Sequence, residues 1–430
     1  MINTTQGSTH QTNFVNNLLN SVSIFMPIAV ASWWWLSYFD EHFPEGISFL
    51  RKDGHCLTSV NGFGIHCFGD WISPVTEAQN GLFFIANSAP ANLLYSLVAY
   101  LVGDQAVPRS ATIAYLVLLT VALSVPFIWV FVSSRIPLYK CLILCGPFTL
   151  PGLTILDRGN NFGFAIPFLL AFAIYFLQGS EDRAVFFLIV SSIFKPHLLV
   201  LLVVFLINRK IWFFVKGAGF GLTLHLAASL VYQPNPLKAI QLHFHQLLDY
   251  GTYVSLDRPD VSNISIAKGF HSLVSFGLGP KELLSQIQKY PTHIGLVIFC
   301  LATFLIWKNH EYIPKMEQLT ILLPLSVMFP GVSFAPYLGF VLLVTTIHLK
   351  YTAEFIDYSH IRELVQLDRY VDYSLIIAIS LSLCTISLPI SSGGFQTSTI
   401  SLVPLVWIHF VAISLFRSSF RKKLLQIEVR

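Results

Sequence analysis

Long apolar runs separated by short polar connections recur along most of this 430-residue chain. The first covers 22–38, and the next lie at 111–133, 141–156, 162–178, 184–194, 197–208 and 211–232. Five more follow at 291–307, 318–329, 336–349, 373–391 and 399–416. None alternates with the period of two that marks a membrane barrel strand, and a helix satisfies its own backbone groups in hydrocarbon. The pattern predicts about twelve membrane-crossing helices in one all-α polytopic domain spanning residues 1–430. Runs 184–194 and 197–208 are short for such a crossing, as happens where helices break at a cavity. Pro196 and Pro330 mark such breaks.

Two polar segments interrupt the pattern. Residues 39–110 form a first large loop with one apolar piece, 89–103, too short for a full crossing and suited to an interfacial or re-entrant position. Residues 233–290 form the second large loop, and 351–372 read as an interfacial helix carrying Glu354, Asp357, Arg362, Glu363 and Arg369. Residues 1–20 contain no Lys or Arg, so the basic leader of a cleaved signal is missing and 22–38 reads as an uncleaved first helix. Trp33-Trp34-Trp35 at its end suits an aromatic interface belt.

Composition agrees. Hydrophobic residues make up 54% of the chain and charged residues 11%, with a mean hydropathy of +0.66; a soluble domain carries about 25% charged residues. The placement of the basic residues matters more than the net charge of +4. With both termini in the cytosol, the short cytosolic connections hold Arg135, Lys140, Arg183, Arg209, Lys210, Lys308, Lys315, Lys350, Arg362 and Arg369, and the tail adds Arg417, Arg421, Lys422, Lys423 and Arg430. That orientation implies a plasma-membrane protein with both large loops outside. No basic patch interleaved with aromatics points to nucleic acid. Cys56 and Cys67 share the first large loop, where an oxidising compartment would allow a disulfide.

The chemistry concentrates in 154–197. Two apolar runs flank Glu181-Asp182-Arg183 and return Asp157-Arg158-Gly159-Asn160-Asn161 and Lys195-Pro196-His197 to one face. An ionisable group at membrane depth costs roughly 2.5–3.5 kcal/mol on insertion scales, which makes Arg158 and Lys195 functional candidates. Against that stand an Arg158–Asp157 pair that only anchors a helix end, and a Lys195 that snorkels to the interface. Asn160 and Asn161 suit a cap as well as a ligand. His243 and His245 lack a third ligand for a metal.

In order and spacing these pieces resemble the GT-C class of membrane glycosyltransferases, and more narrowly glycosyltransferase family 87, the polyprenol-phosphate-mannose-dependent α-mannosyltransferases of actinobacterial envelopes. The matching residues are Phe68-Gly69-Asp70-Trp71, Leu156-Asp157-Arg158-Gly159-Asn160, Phe194-Lys195-Pro196 followed by Arg209-Lys210, and Ser262-Asn263-Ile264-Ser265. They span most of 60–345. The turn Pro330–Tyr337 lacks the histidine found there in some relatives.

The resemblance implies inverting transfer of a sugar, mannose or in a second version arabinofuranose. The donor would be a polyprenyl-phosphate sugar and the acceptor a glycolipid or envelope glycan outside the membrane. A carboxylate then serves as general base, with Asp70 first and Asp40 second, and cations at Arg158 and Lys195 meet the leaving phosphate. Trp71, Asn160, His197, Asn263, Ser265 and Tyr337 become substrate contacts. No cofactor is required, and a divalent metal stays open. The competing class is a lipid or sugar transporter, which would show inverted repeats and mid-membrane charge instead.

Overall fold

The computed structural model describes residues 5–39, 68–82, 87–103, 106–133, 144–241, 263–351, 362–386, 388–392 and 395–428. Helices α1 (Thr5–Phe39), α2 (Gly69–Gln79), α3 (Ala89–Val102) and α4 (Arg109–Ser133) come first. Helices α5 (Leu150–Arg158), α6 (Phe162–Leu177) and α7 (Glu181–Phe194) follow, then a 3-10 turn over Pro196–Leu202 that runs into α8 (Val203–Ile207), and α9 (Ile211–Tyr232). Beyond the second loop lie α10 (Ile266–Ser275), α11 (Glu282–Lys289), α12 (Pro291–Lys308) and α13 (Lys315–Met328). A 3-10 turn at Ala335–Gly339 leads into α14 (Phe340–Tyr351), and α15 (Arg362–Cys384) precedes an antiparallel hairpin of β1 (Pro389–Ser392) and β2 (Phe395–Ser398). The last helix is α16 (Val403–Glu428).

Five stretches are long and apolar enough to cross a membrane: Asn16–Tyr38, Arg109–Ser133, Ile211–Tyr232, Pro291–Lys308 and Thr399–Lys423. Several of them face outward with bare hydrocarbon. α4 exposes Ile113, Val117, Leu118 and Val121, and α9 exposes Trp212, Phe220 and Leu222. Apolar side chains so displayed belong in lipid, and the chain is read as a multi-pass membrane protein. The centre is different. Every residue of α13 from Met316 to Met328 is buried, as is Phe340–Leu349 of α14, and α6 buries Phe162, Ile166, Leu169, Phe172 and Phe176. These inner helices are shorter than a full crossing, and prolines stop them where the sequence predicts breaks, at Pro196 and Pro330.

Contacts between helix ends sort the bundle into two ends. At one, Phe68 meets Asp157, Tyr115 meets Gly159, Ser96 bonds Tyr232 at 2.8 Å, and Gly331 donates to Thr292 at 3.0 Å. At the other, Asn208 donates to Gln318 at 2.8 Å, Asn309 to Ser419 at 3.3 Å, and the Lys350 ammonium reaches the Ser133 carbonyl. The Phe14 ring lies tilted, 5.8 Å from that of His348, so the early part of α1 and the late part of α16 share this second end. A buried ion cluster lies there too. Arg417 pairs with Glu317 and, at 3.1 Å, with Asp368, which also takes Arg421 at 2.7 Å.

Three sequence expectations need correction. The run 141–156 is no full crossing: from Leu144 on it holds a 3-10 turn at Gly146–Phe148 and then α5, nine residues or about 13.5 Å long. Thr149 starts that helix late, because its hydroxyl accepts the Gly152 N–H at 3.1 Å. Of the segment 351–372, residues 352–361 lie outside the described residues, and the part from Arg362 on is continuous with the helix that follows it. α14 ends at Tyr351, and α15 runs unbroken from Arg362 to Cys384, its polar first half drawn into the bundle by the Asp368 pairs with α16. The run 373–391 stops at Cys384, and its end becomes β1. The 89–103 piece is the single helix α3, capped by Ser88, whose hydroxyl accepts the Ala91 N–H at 3.2 Å. Cys56, Cys67, Asp40, His243 and His245 lie outside the described residues.

Candidate active site

Asp70 sits in the first turn of α2, at the end of the bundle opposite the Arg417 cluster. The residue before that helix is unusual. Phe68 adopts a left-handed backbone (φ 50°), a conformation that a bulky side chain rarely takes, and its N–H donates to the Asp157 carbonyl at 2.9 Å. Strain of this kind collects at functional sites. It aims Asp70 back toward the end of α5.

That end is shaped by Gly159. With φ +64° it closes α5, letting the Asn160 N–H reach the Ile155 carbonyl at 2.9 Å in a 6→1 bond. A Cβ on Gly159 would lie 2.9 Å from the Cβ of Trp71, so only glycine permits this approach of α2 to α5. Two side chains of the turn then hold the carboxylate. Asn160 donates from Nδ2 to Asp70 Oδ2 at 2.6 Å, and Arg158 donates from Nη2 to Oδ1 at 3.2 Å. The Arg158 side chain is 34% exposed and that of Asp70 29%, which leaves the pair open to a substrate. Asn160 also accepts the Phe162 N–H at 2.9 Å, so the cap and ligand readings of this residue hold together.

Lys195 enters from the break between α7 and the Pro196 turn. It is 5% exposed, and its ammonium stands 5.0 Å from the centre of the Tyr337 ring. Among the described residues no carboxylate forms an ion pair with it. Burial pulls its ammonium down to about 8, with the Asp70 charge offsetting part of that effect. His197 stands 5.8 Å from the same Tyr337 ring, its Nε2 buried without a hydrogen-bond partner. Asp70, Trp71, Arg158, Asn160, Lys195, His197 and Tyr337 therefore share one end of the bundle.

Trp71 turns the other way. Its indole N–H donates to Thr112 at 3.2 Å and its ring stacks on Tyr115 at 4.0 Å, so it supports the site instead of facing a sugar there. Asn263 and Ser265 hold backbone groups, and the buried Asn263 Nδ2 has no hydrogen-bond partner. Asn263 Oδ1 accepts the Ser265 N–H at 2.8 Å and the Ser333 N–H at 3.2 Å, and Ser265 caps α10 through the Lys268 N–H at 3.2 Å. Together they pin the second loop to the turn before Tyr337. Arg209-Lys210, part of the resemblance, lies at the opposite end, where Lys210 pairs with Glu181.

Sequence reasoning missed three participants, and it named Phe68 only as part of a motif. Tyr115 donates to the Gly159 carbonyl at 2.9 Å, Tyr95 bonds the Asp70 carbonyl at 3.5 Å, Asn87 accepts from Asn161 at 3.2 Å, and Phe68 sets the backbone. Tyr115, Tyr95 and Asn87 each lie in an ordinary apolar or loop context with nothing in the local pattern to single them out. Among the described residues no three His, Cys, Asp or Glu side chains stand together to bind a metal ion. No protein-family model, curated protein or solved structure matches the chain.

Proposed function

We propose that the chain is a membrane glycosyltransferase of GT-C type. It moves mannose from a polyprenyl-phosphate donor to a glycolipid or envelope glycan on the extracytoplasmic face, with inversion. One observation carries the reading: a carboxylate, Asp70, oriented by Asn160 and Arg158, with an unpaired, buried Lys195 ammonium in its field. A base and two cations are what this reaction asks for. Asp70 takes the acceptor hydroxyl's proton as its oxygen attacks the anomeric carbon. Arg158 and Lys195 meet the charge that develops on the departing phosphate, Arg158 through its guanidinium fork and Lys195 as a point charge. Arg158 must loosen its hold on Asp70 Oδ1 as the donor phosphate arrives, which frees that oxygen for the acceptor.

The architecture is consistent with this role. Five stretches are long and apolar enough to cross a membrane, and twelve crossings would need the shorter inner helices, α5 among them, to complete the count. Among the described residues, Lys210, Lys308, Lys315, Lys350, Arg417 and Arg421 lie at the end away from Asp70; on the positive-inside rule this supports cytosolic termini and an extracytoplasmic Asp70 in a plasma membrane.

The test is sugar transfer by the purified protein in detergent, from polyprenyl-phosphate mannose to a crude envelope glycolipid fraction. The wild type transfers, and a folded Asp70→Asn variant loses about 10²–10⁴-fold. Equal activity of the two moves the base to Asp40. Transfer only from the arabinose donor changes the sugar, and transfer from neither donor sinks the enzyme reading in favour of transport.

A further inference from the structure

The end of the bundle away from Asp70 carries basic groups that the proposed chemistry does not use. α8 packs against both α9 and α12 there. Arg209 and Lys210 follow α8, Lys308 closes α12, and Lys315 opens α13. Asn208 ties the end of α8 to Gln318 of α13 at 2.8 Å. The Lys315 ammonium stands 5.5 Å from the centre of the Phe176 ring, and that ring meets Phe205 of α8 edge-on at 5.8 Å. Burial, and then the like charge of Lys315, hold the Lys210 ammonium below the ordinary lysine range. Lys210 pairs with Glu181 and Lys216 with Asp182, but among the described residues Arg209, Lys308 and Lys315 form no ion pair. Against Glu181 and Glu311, the four cations Arg209, Lys210, Lys308 and Lys315 leave this corner positive.

Arg209 is held left-handed (φ 59°) in the turn that closes α8, where its N–H donates to the Leu206 carbonyl at 3.0 Å and that of Lys210 to Phe205 at 2.7 Å. Glycine is usual at this place, a Cβ is costly there, and such strain persists where a function holds it. The surroundings name the kind of partner. Trp212 of α9 and Trp307 of α12, on the two helices that pack against α8, are exposed, as amphipathic rings at a membrane interface are. Beyond them Phe220 and Leu222 of α9, and Leu301 and Phe304 of α12, face outward as bare hydrocarbon. A soluble polyanion would meet the cations and gain nothing from these surfaces. Basic side chains at a membrane surface draw anionic headgroups. We infer that this corner binds an anionic phospholipid, whose phosphate meets Arg209, Lys308 and Lys315 while its acyl chains lie along α9 and α12. The inference stands apart from the transferase reading and needs only the membrane setting.

The experiment uses the full chain in detergent, titrated with dioleoyl phosphatidylglycerol or dioleoyl phosphatidylcholine, with bound lipid counted by native mass spectrometry. The wild type is expected to bind phosphatidylglycerol at least about tenfold more tightly than phosphatidylcholine. The triple variant Arg209→Gln, Lys308→Gln, Lys315→Gln should lose at least about tenfold in that binding, or roughly 1.4 kcal/mol. A second triple variant, Lys238→Gln, Lys281→Gln, Lys289→Gln, removes the same charge at the other end and should bind as the wild type does. Equal loss in both triple variants overturns the site, because charge alone then attracts the lipid. Equal binding of the two lipids overturns it too, and displacement by equimolar inorganic phosphate reassigns the corner to a free phosphate. Arg209→Gly serves if the first triple variant fails to fold. It relieves the left-handed strain, so its unfolding temperature without lipid should hold or rise while phosphatidylglycerol binding weakens. Unchanged lipid binding in these variants overturns the proposal.

Discussion

Lys195 is the residue on which pH should act. Its ammonium is charged below about 8 and loses its proton above, well under the ordinary lysine range. On the proposed role of Lys195, donor binding is expected to weaken as pH rises through about 8, because the cation that would meet the phosphate disappears. Lys195→Arg should flatten that limb, since guanidinium stays charged throughout, and Lys195→Met should bind weakly at every pH. Donor affinity measured from pH 6.5 to 9.5 checks this; an unchanged limb in Lys195→Arg would assign it to another group. Stability runs in the opposite direction. Between about 8 and the ordinary lysine range the unfolded chain binds the proton that the folded chain has lost, so stability contributed by this group rises with pH.

At the scale of elements, two junctions set the geometry. The first is the α5 terminus. Gly159→Ala puts a side chain in a left-handed turn, at about 1–2 kcal/mol, and drives its Cβ against Trp71. Thermal stability and turnover should fall together, because the same turn carries Arg158 and Asn160. Full turnover in a destabilised Gly159→Ala protein would separate the turn from the chemistry. The second junction is the ion cluster joining α13, α15 and α16. Arg417 is 2% exposed and Glu317 5%. Arg417→Met leaves the buried Glu317 without this partner, while the part-exposed Asp368 keeps Arg421; the change should cost about 3–5 kcal/mol. Arg417→Lys should recover part of that. Because the cluster lies at the end away from Asp70, protein that survives should keep its donor affinity, and unfolding in detergent measured beside a donor-binding curve tests both statements.

The whole molecule has a polarity that labelling can read. In a cysteine-free background, Asn80→Cys, just after α2, and Lys308→Cys, at the end of α12, mark the two ends of the bundle. A membrane-impermeant thiol reagent on intact cells should modify the first and spare the second until the membrane is opened. The reverse pattern would put Asp70 in the cytosol and end the extracytoplasmic reading. The hydrophobic pattern made most of the helices legible, because a segment in lipid must be apolar along nearly its whole length. It failed at α5 and at the start of α15. There, composition says how apolar a stretch is but not that Thr149 delays a helix or that Arg417 and Arg421 admit Asp368 into the bundle.

The sequence by itself determined the helical membrane class, the helix breaks at Pro196 and Pro330, and the placing of Arg158 and Lys195 on one face. Each follows from local chemistry: hydrocarbon tolerates few charges, and proline cannot continue a helix. It also singled out Asp70, but only the tertiary structure brought that carboxylate, 88 residues away, onto Arg158. The same packing turned Trp71 from a sugar platform into a support stacked on Tyr115, and made Asn263 and Ser265 a clip between the second loop and Ser333. Such partners are set by the close approach that Gly159 allows and by the left-handed turn at Phe68. A hydrogen bond depends on distance and direction in space, and neither is written in the spacing of residues along the chain.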